Sequence, residues 1–283
     1  MKKFILAVVG LFVFTANLRA QEIKSGAIQF ISIFDPAAMA EANGIKLNAE
    51  MTARMRTVKM PYELLFNATN ASYMKVEEME DSNSEGSNRG GFRMAGFGAS
   101  SNRDYFYNFP ANKMTAVFDL RDTTYFMDVQ LGLAELPQSM GNRAAVLPPK
   151  VEFVKTNETK KILGFTCQKV TVKTTTTRKI EEEEKEIITE TAVWYTKELG
   201  FDFSPNPAIW TEGAVLAIEG KGINLLATSI EYRKVSAKDV NLPKKGIVIT
   251  PEAYKGKLDA MMKNRRGGQG NNSGNAIRNI VIN

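Results

Sequence analysis

Apolar and polar residues alternate along this chain in short runs that predict many strands and few helices. Ile23–Phe34 is rich in β-branched and aromatic residues and predicts a first strand, stopped by Asp35-Pro36. Pro36–Met55, rich in Ala, Met and Glu, predicts one or two helical turns broken near Asn43-Gly44, with Asp35 capping Pro36. Arg56–Phe66 and Ala71–Glu77 predict two strands joined by a turn at Asn67–Asn70. In the second, Ser72, Met74 and Val76 fall on one face and Tyr73, Lys75 and Glu77 on the other. Tyr105–Phe109, Lys113–Leu120 and Thr123–Val129 predict three further strands, with Asn112 and Arg121-Asp122 at their turns.

The second half repeats the theme after a connector at Leu131–Pro149. Val151–Val154 and Lys161–Leu163 are short apolar pieces. Phe165–Arg178 and Ile187–Thr196 predict a hairpin with a solvated acidic tip at Lys179–Glu186. Ala214–Ile218 and Leu225–Val235 predict the last pair, joined through Gly220 and Gly222. Pro251–Asn264 predicts a helix, its basic residues in the last turn suiting the helix dipole. The expected organisation is an antiparallel β domain over 21–250, a C-terminal helix at 251–266 and a flexible tail at 267–283, with Ile277–Ile282 frayed. Within the β domain, residues 80–103 are dominated by Ser, Asn, Gly and Arg and predict a mobile insertion, on which Phe92 and Phe97 are stray apolar residues. The strands follow one another without a β-α-β alternation, so the fold class is mainly β: a large curved antiparallel sheet or half-barrel with a few short helices.

The first twenty residues change the setting. Met1-Lys2-Lys3 is basic, Phe4–Phe14 is almost wholly apolar, and Leu18-Arg19-Ala20 ends on a small residue. This is the pattern of a secretory signal cleaved after Ala20, and the apolar run is too short for a spanning helix. The expected location is the periplasm or the outer-membrane surface, with no membrane span once the signal is gone. No cysteine follows the cut, so a lipid anchor is not expected. Losing Lys2, Lys3 and Arg19 takes the net charge from +6 to +3, too small a bias to imply nucleic acid.

Composition removes several chemistries. The chain has no histidine, which excludes Ser-His-Asp and Cys-His arrangements and histidine metal sites. Cys167 is the single cysteine and reads as a buried apolar residue, so no disulfide forms within the chain. No cofactor and no metal ligand set is expected. Two alternatives stay open: soft-metal handling of the copper type through Cys167 and methionines such as Met39, Met51, Met55, Met60, Met74 and Met79, and a carboxylate-based hydrolase whose acids meet only in the fold. The acidic run Glu181–Glu184 lacks the spacing of a calcium loop and reads as solvated. Trp194, Tyr195, Phe201, Phe203 and Trp210 bracket an extended loop with Pro205 and Pro207. They are the candidate ligand-binding residues, expected at the mouth of the concave face, where barrels hold apolar ligands.

Three stretches carry a family resemblance: Tyr62-Glu63-Leu64-Leu65-Phe66-Asn67 with Ser72 shortly after, Lys161-Ile162-Leu163-Gly164-Phe165-Thr166-Cys167-Gln168-Lys169, and Val193-Trp194-Tyr195-Thr196-Lys197-Glu198-Leu199. In this order and spacing they resemble the GLPGLI family of exported proteins from Bacteroidetes-type bacteria, over roughly Ile23 to Val235. The naming signature falls at Trp210–Ile218, where only Gly213 and the apolar strand after it correspond. The resemblance implies a periplasmic or outer-membrane-associated protein, shaped like the lipoprotein-carrier half-barrels and with no known activity. Some members look to be encoded beside TonB-dependent receptors, which implies an outer-membrane receptor as partner; an apolar small molecule is the other expected partner.

Overall fold

The computed structural model describes residues 24–76, 103–132, 150–180 and 183–270. Within them the chain forms β1 (Gly26–Phe34), α1 (Pro36–Ala42), α2 (Ala49–Arg54), β2 (Val58–Phe66), β3 (Asn70–Lys75), β4 (Asp104–Asn108), β5 (Lys113–Leu120), β6 (Thr123–Val129) and β7 (Lys150–Ile162). There follow β8 (Phe165–Ile180), β9 (Glu183–Thr196), β10 (Ala214–Gly220), β11 (Ile223–Tyr232), α3 (Ala237–Val240), β12 (Ile247–Val248) and α4 (Pro251–Gly270). The strands make one open sheet in the order β12-β6-β5-β4-β3-β2-β1-β11-β10-β9-β8-β7. Every pairing is antiparallel except β12 on β6. The mainly β sheet expected from the alternation is the fold observed, and no described helix is long and apolar enough to cross a membrane.

Local chemistry explains the joins. Asp35 Oδ1 accepts from the Ala37 and Ala38 amides and starts α1. Asn67 Oδ1 accepts from the Thr69 and Asn70 amides, closing the β2–β3 turn. Leu163 and Gly164 take φ of 52° and 88°, the double left-handed geometry that a two-residue hairpin between β7 and β8 requires.

Alternation assigns the faces. The inner face carries Ile28 and Phe30 of β1, Leu64 and Phe66 of β2, Tyr73 of β3, Tyr105 and Tyr107 of β4, and Met114, Ala116 and Phe118 of β5. Cys167 of β8, Trp194 of β9 and Ala217 of β10 belong to the same buried cluster. The opposite face has a second cluster at its β8–β10 end, with Val170, Val172, Val193, Tyr195, Val215 and Ile218.

The C-terminal segment wraps the sheet. Ser72 Oγ, on the outer face, donates to the Asp239 carbonyl, and Val240 of α3 is buried. A Cβ at Gly246 would lie 2.4 Å from Phe126 Cζ, so the chain there passes close against that ring. β12 then pairs along β6, the Ile249 amide donates to the Phe126 carbonyl, and Tyr254 of α4 reaches the inner cluster.

Several expectations change. The two apolar pieces at Val151–Val154 and Lys161–Leu163 are one strand, β7, irregular between Lys155 and Thr159. The β8–β9 ladder is paired down to Ile180 opposite Glu183, so Lys179, Ile180 and Glu183–Glu186, expected in the tip, are strand residues. Threonine and alternating charge tolerate water on both faces, which lets the ladder run past the core. Ala71, Ser72 and Tyr73 are all buried, because α3 covers the outer face of β3. Arg103, assigned to the mobile insertion, is buried with its guanidinium over the Phe118 and Tyr254 rings. Helix α4 continues through Gly270, four residues beyond the expected end at 266. Phe92, Phe97, Met79, residues 80–102, the expected signal at 1–20 and Ile277–Ile282 lie outside the described residues.

Candidate functional site

Residues 197–213, between β9 and β10, fold over the inner face. Leu199, Phe201 and Phe203 are buried there. The Phe201 ring lies 5.0 Å from Phe66 and 5.0 Å from Phe109, and the Phe203 ring lies 5.6 Å from Tyr73. Trp210 meets Tyr107 edge-on at 5.2 Å. Backbone bonds fix the segment: the Phe203 amide donates to the Gly213 carbonyl, the Val215 amide to the Phe203 carbonyl and the Gly132 amide to the Pro207 carbonyl. The Ser204 hydroxyl donates to the Asn206 carbonyl, and Asn206 Oδ1 accepts from the Ala208 amide, setting the bend between the prolines.

Four of the five candidate residues thus meet on one face, Trp194, Phe201 and Phe203 within the inner cluster and Trp210 half-buried against it. Tyr195 does not join them. Neighbouring strand residues point to opposite faces, so Tyr195 lies in the outer cluster, with its hydroxyl 3.0 Å from Gln168 Oε1. The alternation of β9 already required this separation. These aromatics form a plug rather than an open mouth. Their ring partners Phe66, Tyr73, Tyr107 and Phe109 were missed as site residues, although the Tyr107/Phe109 and Leu64/Phe66 spacing carries the signal.

Trp194 sits under a charged cap. Its indole Nε1–H donates to Glu219 Oε2 at 2.9 Å, and Lys160, which also bonds Glu219, stands 4.7 Å from the ring centre. Burial works to raise the Glu219 carboxyl, but the Lys160 and Trp194 hydrogen bonds outweigh it and hold the group below the usual range. Lys169 lies 5.8 Å from the same ring and is bound by both carboxylate oxygens of Glu158.

A shallow depression of about 390 Å³ opens beside the plug, lined by Lys197, Gly200, Phe201, Asp202, Glu212 and Gly213. Lys155 and Lys197 grip Glu212 at 2.7 and 2.8 Å and depress its carboxyl to about 2. Burial pushes Asp202 upward, Lys197 opposing it. Burial, then the charge of Asp202, pushes the Tyr107 hydroxyl up to about 12. Asp202 and Glu212 are two acids in one depression, the arrangement the hydrolase alternative needs. However, a carboxylate of such low basicity, tied to two ammonium groups, is a poor proton acceptor at neutral pH.

Cys167 is fully buried, and burial pushes its thiol up to about 11. That favours the protonated form over the thiolate that binds soft metals. Met39 and Met51 sit on α1 and α2, and Met60 and Met74 on β2 and β3, strands separated from β8 by β1, β11, β10 and β9. Among the described residues no group of three or more Cys, Asp or Glu side chains could hold a metal ion.

No family model matches the chain, and no curated protein matches it. Among solved structures it is similar to PNGF-II in two space groups, at 14% identity with TM-scores of 0.44 and 0.46, covering 83% and 86% of this chain. The match spans 33% of the PNGF-II chain, so this protein corresponds to about one third of that length.

Proposed function

We propose that this chain is an exported binding protein of the periplasm or outer-membrane surface, a diverged relative of the GLPGLI proteins, which engages a partner rather than transforming a substrate. The observation that carries the reading is the occupied inner face. Phe201, Phe203, Trp210 and Tyr254 of the same chain cover the aromatic surface where a carrier of this shape would seat its guest. Recognition then falls to outward surfaces, and the partner proposed is a TonB-dependent outer-membrane receptor. The basic and apolar run at Met1–Ala20 supports export. Native mass spectrometry of protein purified from its own periplasm tests this: a chain beginning at Gln21, in complex with such a receptor, is expected. Recovery from cytosol with Met1 attached overturns the location, and a periplasmic chain without receptor overturns the partner.

A second reading, an apolar small molecule held on the inner face, is favoured by one feature. The β5–β6 part of that face is covered by α4, where Tyr254 is the one buried side chain among the described positions.

A further inference from the structure

Between β1 and β2 the chain leaves the sheet. Phe34 and Val58 face each other across the ladder, and residues 35–57 form an excursion that carries α1 and α2. Its root is fixed. The Asp35 amide donates to the Gly222 carbonyl, and a Cβ at Gly222 would lie 2.4 Å from the Met39 amide nitrogen, so α1 starts hard against the β10–β11 turn. Asn43 Nδ2 donates to the Met39 carbonyl and closes α1, whose residues are half-buried apart from exposed Glu41. Beyond that root the support ends: all six residues of α2 are exposed, and neither helix lies along a strand.

Helices of seven and six residues are too short to be stable by their own hydrogen bonds and draw stability from packing an apolar face. α2 carries such a face, because Leu47, Met51 and Met55 recur at i, i+4 and i+8. Leu47 and Met55 are half-buried, Met51 is 45% exposed, and Ile45 just before them is 51% exposed. Basic side chains are set among these apolar ones. Lys46 follows Ile45, Arg56 follows Met55, Lys59 follows Val58, and Lys221 precedes Gly222 at the root. All four are exposed, and among the described residues none is ion-paired. Of the three acids in the excursion, Asp35 caps α1 and Glu50 is tied to Arg54, which leaves Glu41.

Apolar side chains on an outward-standing turn, interleaved with uncompensated cations, complement an apolar phase lying behind a layer of negative charge. Lysine and arginine reach such a layer with their heads while their stems lie along apolar surface. A folded partner would have to supply a matching pocket; a lipid surface has only to be fluid. We infer that the α1–α2 excursion docks on an anionic phospholipid bilayer, with Ile45, Leu47, Met51 and Met55 toward the acyl region and Lys46, Arg56 and Lys59 at the phosphates. The docking surface stands on α1 and α2, whereas the access of the chain to a bilayer rests on the location proposed above. The two fail separately, because vesicle binding is read on purified chain wherever the cell keeps it.

Vesicle flotation of the chain beginning at Gln21, which holds every described residue, is the test. Vesicles of equal parts phosphatidylglycerol and phosphatidylcholine are expected to bind it at least tenfold more tightly than phosphatidylcholine alone. Ile45→Asp with Met51→Asp is expected to weaken binding at least tenfold at unchanged near-ultraviolet circular dichroism. Lys46→Gln with Arg56→Gln should abolish the preference for anionic vesicles. Val248→Asp, an equally exposed apolar site on the edge strand β12, should bind as the native chain does. A second readout needs no loss of binding: Met51→Trp emission is expected to shift to the blue on anionic vesicles and to be quenched by brominated acyl chains. Absence of binding, equal binding to both vesicles, an unmoved Met51→Trp emission, or an effect of Val248→Asp as large as that of the Ile45 and Met51 pair overturns the bilayer. Capture of the outer-membrane receptor by a photo-cross-linker in place of Met51, without vesicle binding, assigns the surface to a protein and overturns it too.

Discussion

At Gly213 the backbone takes φ of 131° and passes so close to β9 that a Cβ would lie 2.5 Å from the Thr196 carbonyl oxygen. Gly213→Ala therefore adds both left-handed strain and a backbone clash, at a cost of about 1–3 kcal/mol, readable as a lower urea midpoint. Two ionisable groups give opposite pH signatures. The Cys167 thiol is raised to about 11 by burial, so its contribution is intact below the unfolded thiol value and is lost as pH climbs toward 11. Cys167→Ala should flatten the alkaline limb of stability, and native protein at pH 8 should resist thiol reagents until denatured. Glu212 is lowered to about 2 by its lysines, so its contribution is present above the ordinary carboxylate range and is lost as pH falls toward 2. Glu212→Gln should weaken the acid dependence slightly, because the side chain is 61% exposed and water screens the pairs.

Among the elements, the plug concentrates burial in a segment without regular structure. Phe203 is 2% exposed and Phe201 5%, and truncation of either to Ala should cost about 3–5 kcal/mol by leaving a cavity among rings. Differential scanning calorimetry would register this as a fall in Tm. A smaller fall, of the size expected for a surface site, would mean the plug is not part of the core. The candidate aromatics were visible in the sequence, but their role was not, since a loop rich in Phe, Trp and Pro reads alike as a pocket rim and as a stopper. β4, β5 and β6 were legible to within one residue, because Asn112 and Arg121 sit at positive φ where the turns demand it. β7 was not, because Lys155–Lys161 is polar on both faces at an edge, leaving no period to read. β12 was invisible: two residues carry no alternation.

Across the whole molecule, β12 and β7 are the edges of the sheet, and they are protected differently. β12 is too short to template another strand. β7 is thirteen residues long, and its protection is chemical: Lys150, Lys155, Lys160 and Lys161 along its length and an irregular pairing after Lys155. Replacing Lys155, Lys160 and Lys161 together by Thr, with Phe153 and Val154 already exposed, should promote self-association. Light scattering on a sizing column checks this, and an unchanged mass would show that the lysines are dispensable there.

β1 is bonded to β2 on one side and β11 on the other, Gly26 standing opposite both Phe66 and Tyr232. A nascent chain that has released its first two hundred residues has therefore made its earliest strand with one flank bare. That flank can be satisfied only after the polypeptide has looped back across nearly its whole length, so ordering is slow and comes late in synthesis. A premature stop anywhere before residue 223 would leave no half-sized survivor, only a ribbon with its middle seam unsewn.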